Sequence, residues 1–333
     1  MRLHYYYILC IILFSCVKKE KSEVFSDNKA KWIQINKDLP DKDSLFYKDD
    51  PSPIFRKKLF IKNKIKEAKL YITSAGYNAV FINDKRVGKN ILDPAWTDFS
   101  KRIYYTEYDV IDLLLQEENV ISVMLGNGFY NPLPLKMWGW LNLRNELNVG
   151  KPKFILKLII TYIDGKQDEI VSDSSWKYYF GPIVRNSVYL GSHYDARNEI
   201  KGWKTLNFDD SSWNNAQISR SPGGILEKAF FPGVEITQEI EPVEIYEVDK
   251  KKWIVDMGEN FTGTYKIKLS GKSGDKVSFR LGERVYDDGS LNPMTAVTGQ
   301  IKRKGVGGSG APDIAWQSGS YIFGDDLSVW YIP

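Results

Sequence analysis

Two loops between residues 88 and 130 carry the side chains with the clearest chemistry in the chain. Residues 92–99 and 125–130 are dense in Gly, Pro, Asn, Asp and aromatic residues, which fix special backbone angles and leave ring faces and oxygens exposed. An aromatic ring can stack on a sugar while neighbouring amides bind its hydroxyls. The candidate carbohydrate-binding residues are Trp96, Asn127, Tyr130, Asn131 and Trp138.

Other roles for these residues stay open. Tryptophans also fill the cores of β-sandwiches, and asparagines hold turns, so the same side chains can be purely structural. Asp and Asn oxygens, together with backbone carbonyls, are also the ligands that Ca²⁺ prefers. Calcium is therefore the one cofactor that these loops could bind.

Carboxylate pairs are the second chemistry to consider. An inverting glycosidase needs a carboxylic acid and a carboxylate that lie roughly 6.5–9.5 Å apart. The candidate pairs are Asp93 with Asp98, Asp195 with Glu199, and Glu283 with Asp287 or Asp288. These residues fall in turn-like sequence, such as the Asp287-Asp288-Gly289 run, so we assign no catalytic residue.

Several other functional classes find little support in the sequence. The chain has two histidines, and His4 lies in the leader, so a Ser-His-Asp triad would depend on His193 alone. The glycine run at 305–310 lacks the Lys-Ser/Thr pair of a phosphate loop. The net charge of +4 is spread along the chain without a basic stripe, so no nucleic-acid partner is expected.

The hydrophobic pattern predicts strands that would hold these loops in place. Apolar and polar residues alternate over 265–269 and 277–281, and the turn at 273–275 between them predicts a hairpin. Asp164-Gly165 and Asn83-Asp84 predict two more hairpins, within residues 153–171 and 80–87. Helical patterns are sparse. The predicted class is all-β, with two β-sandwich domains, of which the first is jelly-roll-like.

The N-terminus has the pattern of a bacterial lipoprotein leader. Arg2 precedes an apolar run over 5–14, which is too short to span a bilayer stably. Leu13-Phe14-Ser15-Cys16 resembles a lipobox, so residues 1–16 form the predicted signal peptide and Cys16 the predicted lipidation site. Residues 17–29 are polar and predict a tether to the membrane. We expect a lipoprotein of the cell envelope, periplasmic or surface-exposed, which the mass of its N-terminal peptide would test.

A series of short motifs runs through nearly all of the chain after the leader. In order, they are PIFRK at 53–57, AKLYIT at 68–73, NDKRVG at 83–88, WTDF at 96–99, YDAR at 194–197, FDDSSW at 208–213 and DMGEN at 256–260. Their order resembles the N-terminal β-sandwich region of bacterial α-L-rhamnosidases, a family of inverting glycoside hydrolases. One departure is Gly191-Ser192-His193, where the family usually has an acidic residue.

The resemblance implies a domain at 30–245, followed by a concanavalin-like domain at 246–333. In the family, a helical α/α barrel with the catalytic acid and base comes next, and related modules bind rhamnose in a calcium-dependent manner. This sequence offers no positions for the barrel residues. The expected function is therefore the non-catalytic N-terminal part of a rhamnosidase-like enzyme, whose partners are a rhamnose-containing glycan and a catalytic barrel outside this chain. The alternative is a free-standing carbohydrate-binding lipoprotein of the envelope.

The last residues, Val329-Trp330-Tyr331-Ile332-Pro333, read as part of a strand. We therefore expect the second sandwich to be incomplete in this chain. An incomplete sandwich exposes an apolar face and an unpaired edge, so the last ninety or so residues are expected to be marginally stable.

Overall fold

The structure is a computed structural model, which describes residues 23–137, 140–297 and 314–333. Three features predicted from the sequence fall outside these ranges: Cys16 with its lipobox, Trp138, and the glycine run at 305–310. Among the described residues, no helix is both long enough and apolar enough to cross a membrane.

Strands dominate the described chain. The first seventeen are β1 (Trp32–Gln34), β2 (Pro53–Ile61), β3 (Ile65–Ala75), β4 (Tyr77–Ile82), β5 (Lys85–Arg86), β6 (Arg102–Asp109), β7 (Glu117–Gly126), β8 (Lys136–Met137), β9 (Leu141–Asn142), β10 (Lys153–Tyr162), β11 (Gln167–Val171), β12 (Lys177–Phe180), β13 (Ile183–Ser187), β14 (Gly191–Asp195), β15 (Asn214–Asn215), β16 (Gln217–Ser219) and β17 (Ile225–Lys228). The others are β18 (Glu244–Asp249), β19 (Lys252–Asp256), β20 (Ile267–Ser270), β21 (Lys276–Arg280), β22 (Arg284–Val285), β23 (Leu291–Asn292), β24 (Ser318–Ile322) and β25 (Ser328–Tyr331). The helical segments are α1 (Leu143–Glu146) and the 3₁₀ turns Glu23–Phe25, Asp43–Tyr47, Ile111–Leu113, Ala196–Asn198 and Pro293–Ala296.

Two large sheets form a sandwich around the main core. One has the order β16-β1-β10-β3-β6-β17, with β11 paired to β10, and the other has the order β15-β12-β2-β7-β4-β5. The buried apolar side chains of the main core come from both sheets, for example Ile72 and Phe154 from the first and Phe55 and Ile121 from the second. Burial of this apolar surface is the dominant stabilising term. The prediction of an all-β fold built from sandwiches is confirmed.

Two predicted hairpins are confirmed in register. Strand β10 pairs with β11 across Asp164-Gly165, where Gly165 has a φ of +83°. Strand β4 pairs with β5 across Asn83 and Asp84, whose φ values are +50° and +69°. Two consecutive residues with positive φ are typical of a type I′ turn, which matches the twist of the flanking strands.

The third predicted hairpin is wrong. Strands β20 and β21 flank the turn at 273–275, but β20 pairs with β25 and β21 pairs with β24. Strand β24 also pairs in parallel with β14, so one sheet of order β13-β14-β24-β21 contains strands from both sides of the predicted domain boundary. The residues at 273–275 therefore predict a turn in the chain, but they do not determine which strands pair. The boundary at 245/246 stays a prediction.

Many large apolar side chains among the described residues between 243 and 332 are exposed to solvent. The described strands of this part that lie outside the shared sheet form two-stranded pairs, β18 with β19, β20 with β25, and β22 with β23. A small core of Leu269, Tyr321, Phe323 and Tyr331 is buried. Exposed large hydrophobic residues in this part include Val243, Ile245, Trp253, Val255, Val285 and Trp330.

This exposure gives a testable difference between the two parts of the chain. We expect limited proteolysis to cut within 246–333 well before it cuts within 30–245, because isolated two-stranded pairs with few buried contacts open easily. The order of appearance of fragments, assigned by mass spectrometry, measures this. Equal resistance of the two parts would contradict the prediction.

Candidate functional site

Trp96 is a candidate sugar platform on the surface of the first sandwich. It lies in the loop between β5 and β6, and its side chain is 49 % exposed. Its indole stacks on the ring of Phe129, with 4.5 Å between ring centroids and 30° between planes. Phe129 in turn contacts Tyr189 edge-on at 6.0 Å. Stacking fixes the orientation of the indole while leaving part of it accessible to solvent.

Asn127 and Asn131 lie together, but their polar atoms are engaged within the protein. The backbone N–H of Asn127 donates to Oδ1 of Asn186 at 2.7 Å, and its Nδ2 donates to the carbonyl of Asn186 at 3.0 Å. Asn131 Nδ2 donates to Oδ1 of Asn127 at 2.8 Å. These bonds fasten the loop after β7 to β13. The structure therefore supports the turn-holding role that the sequence left open for these two residues.

The guanidinium of Arg144 lies beside one of the loops for which calcium was considered. Arg144 Nη1 donates to Oδ1 of Asn131 at 2.9 Å and to the carbonyl of Pro132 at 2.6 Å, and its guanidinium carbon lies 4.0 Å from the centroid of the Phe46 ring. Burial lowers the pKa of Arg144 to about 10, so the group stays cationic at neutral pH. The side-chain oxygen of Asn131 is thus already engaged by a cationic side chain and is not free to serve as one of the six to eight oxygen ligands of Ca²⁺. The described residues also contain no group of three or more His, Cys, Asp or Glu that could hold a metal ion.

Tyr130 belongs to a core rather than to the surface. It is buried, contacts Phe99 edge-on at 5.2 Å, and has the Lys153 ammonium 5.8 Å from its ring centroid. Protein atoms cover the ring that was predicted to stack on sugar. Of the predicted residues that the structure describes, Trp96 presents an accessible ring, and carbohydrate binding by the set stays a prediction.

The loop before Trp96 lines a cavity of about 430 Å³, which we call the Asp93 pocket. Its polar lining residues are Asn90, Asp93, Thr106, Glu107, Tyr108 and Lys228. The Asp93 carboxylate is almost fully buried and accepts hydrogen bonds from Thr106 Oγ1 (3.0 and 2.9 Å), Tyr108 Oη (3.1 Å) and Asn90 Nδ2 (3.3 Å). Burial, followed by the charge of Asp93, raises the pKa of Tyr108, which keeps this hydroxyl protonated.

Aromatic residues that sequence reasoning missed complete this pocket. Tyr104 and Phe231 line it and meet edge-on, with 5.1 Å between centroids and 90° between planes. Phe230 beside them is 82 % exposed and contacts both rings. The available signal was the Phe230-Phe231 pair directly after a strand, but its place beside Tyr104 depends on the parallel pairing of β17 with β6.

The candidate catalytic carboxylates other than Asp93 that form hydrogen bonds do so within turns, in an ion pair or with a nearby tyrosine. Asp98 accepts from Ser100 within its own turn, and Asp288 does the same with Ser290. Asp195 forms a salt bridge with Arg197 at 2.6 Å, and Tyr194 donates to Glu199 at 2.7 Å. These contacts give the carboxylates structural roles.

His193 lies at the corner where the sequence departs from the family pattern. Arg185 Nη2 lies 3.0 Å from its Nε2, and Ser320 Oγ lies 2.8 Å from its Nδ1. Because a guanidinium can only donate, Nε2 accepts and the imidazole is neutral. Burial, then the charges of Arg185 and Lys276, lower the pKa of His193 to about 4.

This shift predicts a loss of stability in acid. Between the ordinary pKa of 6.5 and about 4, the unfolded chain binds more protons at this position than the folded chain. The stabilisation is thus complete above pH 6.5 and is lost as the pH falls toward 4. We expect His193→Gln to show a smaller loss of unfolding free energy over this range than the native chain, as measured by denaturant unfolding. Parallel pH profiles of the two proteins would contradict this.

Comparisons with known proteins identify the family. Residues 63–238 match the alpha-L-rhamnosidase N-terminal domain, and residues 246–318 match the bacterial alpha-L-rhamnosidase concanavalin-like domain. An alpha-L-rhamnosidase of Formosa agariphila is 32 % identical over 277 residues, which cover 78 % of this chain and 29 % of that protein. An alpha-L-rhamnosidase of Alteromonas sp. is 31 % identical over 265 residues, which cover 78 % of this chain and 28 % of that protein.

A solved structure agrees with this assignment. The alpha-L-rhamnosidase of Dictyoglumus thermophilum superimposes with a TM-score of 0.77 at 35 % identity, covering 92 % of this chain and 32 % of that one. The chain thus spans less than a third of the length of these relatives. The first match covers more than half of the 333 residues, and the chain belongs to the alpha-L-rhamnosidase N-terminal domain family.

Proposed function

We propose that this chain is the carbohydrate-binding, non-catalytic N-terminal part of an alpha-L-rhamnosidase-like glycoside hydrolase. The two domain matches, in order along the chain, support an origin in this family. The observation that carries the binding role is the partly exposed Trp96 indole held against Phe129 on the matched domain. The candidate carboxylates Asp98, Asp288 and Asp195 serve turns and an ion pair, which supports a role in binding rather than in hydrolysis.

An exposed indole suits a rhamnosyl unit for a physical reason. A pyranose has a face of C–H groups, which packs against an aromatic ring while its hydroxyls stay in water or meet polar groups. The stacked Phe129 ring holds the indole in place, so little side-chain freedom is lost when a sugar binds. Trp96 is then the residue whose removal should weaken binding most.

We expect Trp96→Ala to weaken the affinity for methyl α-L-rhamnopyranoside roughly tenfold, which corresponds to about 1.4 kcal/mol. Affinity can be measured by titration, following the indole N–H signals by NMR. Trp253→Ala is the matched control, because Trp253 is also exposed but lies on β19. An affinity unchanged by Trp96→Ala would remove Trp96 from the proposed site.

A further inference from the structure

We propose that the Asp93 pocket is a second binding site, which takes a neutral pyranose. This inference goes beyond the proposed function, because it uses a different cavity with different polar groups. The volume of about 430 Å³ lies within the range of small-molecule sites. The chemistry of its lining indicates the class of ligand.

The Asp93 carboxylate retains capacity to accept a further hydrogen bond. Its two oxygens offer about four acceptor positions. Three side chains donate to them, namely Asn90, Thr106 and Tyr108, and Thr106 has a single hydroxyl proton for both oxygens. One acceptor position therefore remains at a carboxylate that its donors hold in a fixed orientation. A sugar hydroxyl is a donor of suitable size.

The rim of the pocket supplies donors and acceptors for neighbouring hydroxyls. Lys228 Nζ lies 2.5 Å from Oε2 of Glu107, and this contact lowers the pKa of Glu107 and keeps it ionised. An ammonium has three protons, so Lys228 can also donate to a sugar oxygen. Among the ionisable lining residues, Glu107 is paired with Lys228 and also with Lys69 at 3.3 Å, whereas Asp93 has no ion-pair partner in the pocket. An anionic group placed against the Asp93 carboxylate would be repelled, which disfavours sugar acids and phosphates at that position.

The apolar wall fits the C–H face of a pyranose. Tyr104 and Phe231 both line the pocket, and their rings meet at 90°. Pro94 and Pro232 add rigid apolar surface. Aromatic and apolar surface beside a few fixed polar groups is typical of small-molecule sites, and it suits a pyranose.

The wall is fixed in place before any ligand binds. The N–H of Ala229 donates to the carbonyl of Tyr105 at 2.9 Å, and the N–H of Ile91 donates to the carbonyl of Val234 at 2.8 Å. The segment that carries Phe231 is thus hydrogen-bonded at both of its ends. A preformed site needs little ordering on binding, which favours measurable affinity.

The experiment titrates the full chain with methyl α-L-rhamnopyranoside, methyl α-D-glucopyranoside and sodium D-glucuronate, followed by NMR. Amide signals of Ala95 and Thr106 report on the Asp93 pocket, and the indole N–H of Trp96 reports on the other site. We expect saturable shifts at Ala95 and Thr106 with at least one neutral pyranoside, and none with glucuronate. Ala95→Leu should fill the pocket, and Phe231→Ala should remove its wall, each weakening the affinity at least roughly tenfold.

Controls separate this site from the Trp96 site. Phe60→Ala removes an exposed ring on β2 and should leave the affinity measured at Ala95 and Thr106 unchanged. Ala95→Leu retains Asp93 and its donors. An unchanged far-UV circular dichroism spectrum and an unchanged thermal unfolding curve would establish that the variant is folded. The inference is overturned if no neutral pyranoside gives saturable shifts at Ala95 and Thr106, if glucuronate binds as tightly, or if both pocket variants bind like the native chain. Binding lost in Trp96→Ala but retained in Ala95→Leu and Phe231→Ala would support the proposed function alone.

Discussion

Replacing Arg56 by alanine is expected to lower the free energy of unfolding by about 3–5 kcal/mol. The side chain is fully buried on β2 and forms a salt bridge with Asp210 at 2.6 Å. Its guanidinium also donates to the carbonyls of Phe208 (3.0 Å) and Thr205 (2.8 Å). Removing it would leave a carboxylate and two carbonyls without their donor. The loop at 205–210 would lose its attachment to the sheet.

Chemical denaturation with a probe of the first sandwich measures this effect. Burial lowers the pKa of Arg56, but the charge of Asp210 and the hydrogen bond to Asp210 favour the charged form. Lys58→Ala is the control, because Lys58 is an exposed cation on the same strand, and it should change the unfolding free energy by no more than about 0.5 kcal/mol. If Arg56→Ala lowered the free energy of unfolding by no more than Lys58→Ala does, the ion pair would be dispensable.

Trp176→Ala is expected to have a comparable effect, a loss of about 3–5 kcal/mol. The indole is fully buried in the main core and contacts Phe154 edge-on at 5.3 Å. Its Nε1 donates to the carbonyl of Val171 at 2.9 Å. Truncation would open a cavity between the sheets and leave this carbonyl with only the longer hydrogen bond from Lys57 Nζ at 3.4 Å.

The same denaturation assay tests the tryptophan. The free energy of unfolding of Trp176→Phe should lie between those of the native chain and Trp176→Ala, because phenylalanine restores part of the side-chain volume but not the hydrogen bond. Trp253→Ala is the matched surface control, since Trp253 is 60 % exposed. If Trp176→Ala and Trp253→Ala lowered the free energy of unfolding equally, the packing of Trp176 would not stabilise the core.

Local sequence patterns were sufficient for much of the fold. The Asp164-Gly165 and Asn83-Asp84 turns were predictable because few residues tolerate the positive φ values that such turns need. Alternation of apolar residues indicated strands because one face of each sheet is buried. The pairing of β24 with β14 was not predictable in this way. Residues 193 and 320 are far apart in the chain, and no local rule specifies which distant edges will meet.

The candidate site was predictable as a region but not residue by residue. The loop that contains Trp96 was singled out by composition, and Trp96 is indeed accessible. Asn127 and Asn131 have the composition of a binding site, but Asn186 and Arg144, which lie 59 residues from Asn127 and 13 residues from Asn131, engage their polar groups. The burial of Tyr130 likewise results from tertiary packing against Phe99.

The Asp93 pocket was likewise predictable from the sequence only in part. Thr106 and Tyr108 alternate along β6, so their common face follows from strand geometry. Phe231 reaches the pocket because β17 pairs in parallel with β6, and that pairing lies beyond a single-sequence pattern. Sequence patterns thus indicate one side of the cavity and leave the other to the structure.

The central claim is that this chain binds rhamnosides without hydrolysing them. The most direct measurement incubates the full chain with 4-nitrophenyl α-L-rhamnopyranoside, and follows both nitrophenol release and saturable binding of the non-hydrolysable methyl glycoside. We predict saturable binding that Trp96→Ala weakens, with no release above the buffer rate. Nitrophenol release in proportion to protein concentration, or no saturable binding of the methyl glycoside, would contradict the claim.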